Sequence, residues 1–111
     1  MRYTNAECRE QARRKNYFKN NNDTIYGEWT GNSKDGEVYT VFSYGSHFPM
    51  FIWTADRWFE NEDGYSATTA RHKNQVRPCH DTTLLSTSVM QKLQQFGYRE
   101  VVRRRLLGAK V

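Results

Sequence analysis

The sequence predicts an α+β fold: an antiparallel sheet of three to five strands packed against a C-terminal helix, with a short helix near the N-terminus. Three observations predict it. Residues 37–44, EVYTVFSY, are rich in the β-branched and aromatic side chains that suit a pleated surface. Residues 50–53, MFIW, are apolar without alternation, as in a strand buried on both faces, and Pro49 stands at their entry, where a missing N–H does no harm. Residues 89–96 put Val89, Met90, Leu93 and Phe96 on one helical face and are followed by Gly97, a natural helix stop.

In chain order, Thr4 and Glu7 have the spacing of a capping box, so a helix should run from there to about Arg14. Its apolar content is only Ala6, Cys8 and Ala12, which predicts a lightly docked, mostly polar helix. Asn20, Asn21, Asn22 and Asp23 favour a turn. Residues 24–30 read as a strand with Ile25 and Trp29 toward the core and Tyr26 and Glu28 on the other face. Residues 31–36 hold two glycines and an Asp-Gly pair, a hairpin turn. In the next strand Val38, Thr40, Phe42 and Tyr44 share one face, and Tyr39, Val41 and Ser43 the other. Residues 45–49 connect it to the apolar strand as an antiparallel hairpin. Arg57, Trp58 and Phe59 can add a short strand, and residues 65–69 can return as another after the Asp63-Gly64 turn. Residues 70–77 carry no clear period and read as a loop or a single helical turn ended by Pro78. Ser86 or Ser88 can cap the helix at 89–96. After Gly97, helix is favoured over strand, although Val101 and Val102 leave both open.

A chain of 111 residues predicts one domain, with a core at roughly 24–97 and a basic N-terminal helix and Arg-rich C-terminal segment appended. Hydrophobic residues are 37% and aromatic residues 14%, so the core should be small and dominated by rings. No apolar run has the length of a membrane span, and the first residues lack the apolar stretch of a signal peptide. The expectation is a cytoplasmic protein with Cys8 and Cys79 reduced and no membrane partner. The net charge is +5, and residues 81–111 hold six bases against two acids, which concentrates the excess there. Such a balance favours an anionic partner.

The candidate sites follow from these patterns. Three basic groups, at 9–19, 71–77 and 99–105, point to nucleic-acid contact, with Arg71, Lys73, Arg77, Arg99, Arg103, Arg104 and Arg105 as binding residues and Tyr44 and Trp58 as rings for stacking. The competing reading is a set of unrelated solvated faces. Trp53, Trp58, Phe59 and Tyr65 could serve a protein interface or simply the core. Ser46, His47, Arg71 and His72 form an alternative catalytic group, a hydroxyl, imidazoles and a guanidinium able to run acid–base or nucleophilic chemistry if the loops meet. Asp56, Glu60 or Asp63 could orient a histidine there, though no motif places them. His47, His72, Cys79 and His80 are zinc-binding types at poor spacing, so no metal is expected, and no motif calls for a cofactor.

Residues 42–53, FSYGSHFPMFIW, and 65–72, YSATTARH, resemble small uncharacterised proteins of phages and mobile elements that share Y-S-Y-G-x-H-F-P and Y-S-x-T-T-x-R-H segments. Phe42 stands where that pattern has its first Tyr. The resemblance covers roughly residues 39–96, and the basic helix and Arg-rich tail lie outside it. It implies a host-cell context in which small basic proteins blunt defence, including CRISPR, by engaging a nucleic acid, a ribonucleoprotein or another protein complex. A structural or interaction module of a phage is the further alternative.

Overall fold

The computed structural model describes residues 2–30, 38–43, 48–63 and 67–107. It is α+β, with a seven-stranded mixed sheet and four helices. The elements run β1 (Arg2–Tyr3), α1 (Asn5–Arg13), β2 (Phe18–Asn20), β3 (Ile25–Thr30), β4 (Val38–Ser43), β5 (Pro49–Thr54), β6 (Arg57–Asn61), α2 (Ala67–Val76), β7 (Thr82–Leu85), α3 (Thr87–Phe96) and α4 (Tyr98–Arg103). Strand order across the sheet is the order in the chain. The strands β2 to β6 pair antiparallel, whereas β1 joins β2 and β7 joins β6 in parallel. The sheet is therefore larger than the three to five antiparallel strands predicted, and its two edges are parallel.

Every residue of β4 is buried, and so are all of β5 except Trp53. Strands apolar on both faces must be covered on both. On the first face Cys8 and Ala12 of α1 and Val76 of α2 pack with Phe18, Ile25, Tyr39, Val41, Met50, Phe51 and Trp58. On the second face Val89, Met90 and Leu93 of α3 and Val101 of α4 pack with Val38, Ile52, Phe59 and Leu85. One-sided packing is thus replaced by helices on both sides, and the core reaches beyond 24–97 to Cys8, Ala12, Phe18 and Val101. A register shift between Val41 and Phe42 lets the consecutive Met50 and Phe51 both face the first cluster.

The parallel edges are two β–α–β crossovers, β1–α1–β2 and β6–α2–β7. Both step in the same sense across the sheet between strands that point the same way. A common hand therefore puts both helices on the same face, and α1 does pack against α2. The other face is left to α3 and α4.

Local signals set the helix ends. Thr4 and Glu7 form the reciprocal capping box, with Thr4 N donating to Glu7 Oε1 at 2.9 Å and Glu7 N donating to Thr4 Oγ1 at 3.2 Å. Ser86 is the residue that caps α3, and Gly97 ends it at φ 85°, a conformation open mainly to glycine. The helix α1 is mostly polar, as predicted, but it is not lightly docked: Cys8 and Ala12 are fully buried and the helix packs against α2. Trp29 Nε1 donates to Lys15 O at 2.8 Å, and Tyr39 Oη to Asn16 O at 2.6 Å, so rings of β3 and β4 hold the carbonyls at the end of α1. The region 67–76 corrects the sequence reading: in place of a returning strand and then a loop or a single helical turn, there is the ten-residue α2. Its inward positions Thr69, His72 and Val76 are spaced for a helix, but two of the three are polar and hide the period.

Gly27 is required by packing. A Cβ there would overlap the Tyr39 hydroxyl and the Phe18 ring. Gly27→Ala should lower stability by about 1–3 kcal/mol through overpacking. A urea unfolding curve would show a lower midpoint at unchanged slope, and Gly27→Ala unfolding like the wild type would refute this account.

Candidate nucleic-acid interface

The site question reduces to where positive charge is left unpaired. On the first face most of it is used internally. Arg9 Nη2 donates to Asn74 O at 2.8 Å and Arg13 Nε to Pro78 O at 3.3 Å, so two cations of α1 sit on carbonyls at and just past the C-terminal end of α2. Arg14 pairs with Glu10, and on the second face Arg2 pairs with Asp23. Lys15 Nζ lies 4.2 Å from the centre of the Trp53 ring.

Lys73 and Arg77, two of the predicted binding residues, turn inward. Their side chains are 16% and 19% exposed, and both close on Glu60, a residue of β6. Arg77 binds it in bidentate fashion, Nη1 to Oε1 at 2.5 Å and Nη2 to Oε2 at 3.0 Å. Thr82 Oγ1 of β7 donates to Oε1 at 2.7 Å, and Lys73 Nζ lies 3.1 Å from Oε2 and donates to Asn61 O at 2.7 Å. Burial alone would raise the Glu60 carboxyl, but the hydrogen bonds from Arg77, Thr82 and Lys73 outweigh it and bring it down to about 2. The group ties β6, α2 and β7 together and consumes the basic group expected at 71–77, apart from Arg71, which is exposed with no carboxylate partner among the described residues.

Trp58 is also turned inward. It is 7% exposed and packs edge-on against Tyr39 and beside Trp53, so it is a core ring rather than a surface for stacking. Tyr44, Ser46 and His47 lie outside the described residues. His72 is buried beneath α2, with Nδ1 3.0 Å from Ser43 Oγ, itself 1% exposed. Burial and the neighbouring Arg71 lower the His72 pKa, which keeps the ring neutral at pH 7. Arg71 does not share this pocket. Ser43 was legible in the sequence only as a hydroxyl on the Tyr39–Val41 face. Among the described residues no three His, Cys, Asp or Glu side chains converge as metal ligands. Cys8 and Cys79 are free thiols, and burial, with Glu7 nearby, pushes Cys8 up to about 11, so it is no nucleophile at neutral pH.

Besides the single exposed bases Lys19, Arg57 and Arg71, unpaired positive charge among the described residues gathers at α4 and the end of α3. Arg103 and Arg104 share one carboxylate, Glu100, at 2.6 and 2.5 Å. Their hydrogen bonds hold the half-buried Glu100 down at about 2, so the carboxylate stays charged, yet it offsets only one of the two. Arg99 and Arg105 are exposed and have no carboxylate partner among the described residues. Arg104 stacks 4.3 Å from the centre of the Phe96 ring, and Lys92 Nζ lies 5.9 Å from the same ring. The helix is fixed by Val101 in the core and by Tyr98 against Phe59, so Arg99 and Arg103 stand on a rigid base, with Arg104 at its C-cap and Arg105 in the turn just past it.

The architecture is that of a small mixed-sheet α+β protein with a cationic surface at and just after α4. Compared with known proteins, the chain matches no family model, no curated protein and no solved structure. Among the described residues no helix is long and apolar enough to cross a membrane.

Removing the Glu60 charge should be costly, because Lys73 and Arg77 would stay buried without a counter-ion. Glu60→Gln should destabilise by about 3 kcal/mol, the lower end for a broken buried pair. The folded carboxyl lies below its ordinary value, so its stabilisation is present above about pH 4.5 and is lost as pH falls toward 2. Denaturation followed from pH 6 to pH 2 should show Glu60→Gln losing less stability than the wild type, and parallel curves would count against the assignment.

Proposed function

We propose that this protein binds a nucleic acid or a ribonucleoprotein through the cationic surface of α4 and the end of α3. The observation that carries the reading is the distribution of charge: most bases of the first face are bonded to carboxylates and carbonyls of the chain itself, while around α4 Arg103 and Arg104 share the single carboxylate of Glu100 and Arg99 and Arg105 have none among the described residues. Guanidinium groups on a fixed helix suit phosphate oxygens, which they bind through paired N–H donors. The resemblance of residues 42–53 and 65–72 to small phage and mobile-element proteins supports a host-defence setting, in which the anionic target is a CRISPR ribonucleoprotein and binding inhibits it. An enzyme reading draws on the Ser43–His72 hydrogen bond, but a nucleophile 1% exposed has no access to substrate.

Fluorescence anisotropy with random-sequence RNA and DNA, titrated with salt, tests this. Binding should weaken linearly on a log–log salt scale. Arg99→Glu with Arg105→Glu should reduce affinity by about tenfold or more and flatten that slope by roughly two phosphate contacts. Negligible binding at low salt would remove direct nucleic-acid contact. Capture from host lysate with and without nuclease would then report whether a protein partner depends on RNA.

A further inference from the structure

The second face of the sheet is only half covered. The helix α3 lies over β4, β5 and β6. Among the described residues no helix covers that face of β1, β2 and β3, and an open trough of about 370 Å³ lies there. That is the lower end of the range for small-molecule pockets. The register shows what it presents. Lys19 pairs with Tyr26, and Arg2 pairs with Lys19, so these three share the face. Continuing β2 backward by alternation puts Tyr17 on the same face, opposite Glu28. Tyr17 is 67% exposed, and its hydroxyl reaches Trp29 O at 3.4 Å, which lays the ring across β3. Tyr26 is held from behind by Phe42, with ring centres 4.9 Å apart and planes at 25°.

Two tyrosines thus stand on neighbouring strands of an open face. Both rings line the trough, so a flat aromatic ligand laid in it can meet a ring face of either. The polar groups around it are sorted by sign. Lys19 makes no close ion pair among the described residues, and Arg2 stands beside it; the one carboxylate Asp23 pairs with Arg2 and also feels the Lys19 charge, so the two bases share it. Glu28 stands at the other end, an acceptor without a donor among the described side chains.

From this arrangement we infer that the β2–β3 trough is a nucleotide-binding platform for single-stranded nucleic acid. A nucleobase stacks on Tyr26 or Tyr17, its exocyclic amine donates to Glu28, and its phosphate meets Lys19 and Arg2. A duplex cannot use it, because paired bases offer no free ring face. The inference rests on the nucleic-acid reading above and adds to it the form of nucleic acid. The platform and α4 lie on the same side of the sheet, so one strand could engage both.

Anisotropy with one labelled oligonucleotide, single-stranded and as a blunt duplex, tests the proposal, with each variant first shown to melt like the wild type. The wild type should bind the single strand at least about tenfold more tightly than the duplex. Tyr17→Ala, an exposed change, should remove about tenfold of single-strand affinity, and Tyr26→Phe should retain it. Lys19→Glu should weaken single-strand binding and leave duplex binding nearly unchanged. If the Arg99→Glu/Arg105→Glu variant weakens binding while Tyr17→Ala and Lys19→Glu do not, or if duplex and single strand bind alike, the platform is refuted and the α4 reading stands. Absence of binding to either form refutes both.

Discussion

A strand that is apolar on both faces has to be covered on both, and β4 and β5 impose that requirement on the rest of the chain. Tyr39, Val41 and Phe51 demand a layer on one side, and Val38 and Ile52 demand one on the other. In a chain this short, two layers can be built only from brief helices. None of the four exceeds ten residues, and each contributes only a few apolar side chains. The parallel crossovers meet half of the demand. By stepping the same way at both edges they deliver α1 and α2 to one face, and the chain after β7 is then free to close the other.

Helices with so little apolar surface need other anchors, and this accounts for much of the polar chemistry. The carbonyls ending α1 are held by Trp29 and Tyr39, and those at the end of α2 by Arg9 and Arg13. Glu60 does the same work for α2 from below. A buried carboxylate is unfavourable by itself, but with a bidentate guanidinium, an ammonium and a hydroxyl its lone pairs are satisfied. Breaking one partner would expose the cost of the others, so the cluster behaves as a lock between α2 and the β6–β7 edge. Its contribution to function is indirect. By drawing Lys73 and Arg77 inward it takes positive charge off the first face, and the charge excess is left to the second.

The parts of the fold legible in the sequence are those decided by local chemistry. The Thr4–Glu7 box, the cap at Ser86, the stop at Gly97 and the β-rich run ending at Ser43 each depend on neighbours a few residues away. The parts that were not legible are decided at long range. The short outer strands β1, β2 and β7 have two to four residues, too few for a period, and exist because a partner strand is already there. The helix α2 hid because Thr69 and His72 occupy positions where an amphipathic helix would show apolar residues. The same logic separates the site residues. Arg99 and Arg105 kept the exposure that an Arg-rich segment suggests. Lys73, Arg77 and Trp58 did not, since their surroundings come from β6, β7 and β4, which no local window contains. Ser43 escaped notice for the same reason: its partner His72 is 29 positions away.

The two faces therefore differ in what a charge does. On the first, Lys73 and Arg77 are held at fixed distances from one carboxylate, so altering either changes the energy of folding. On the second, the guanidiniums of α4 stand on a helix whose packing is carried by Val101 and Tyr98, so altering the charges leaves the core contacts in place. Exposed ion pairs such as those to Glu100 contribute little to stability in water, and a phosphate can displace or share them at small cost. Arg71 lies between these cases: it rides on α2, which is locked by Glu60, yet its own side chain is exposed and unpaired among the described residues. Its electrostatic reach is toward His72, whose neutral form it favours, rather than toward the cationic surface on the opposite side of the sheet. A basic residue in this protein thus takes its role from which side of β6 its element packs on, which the count of charges along the chain does not contain.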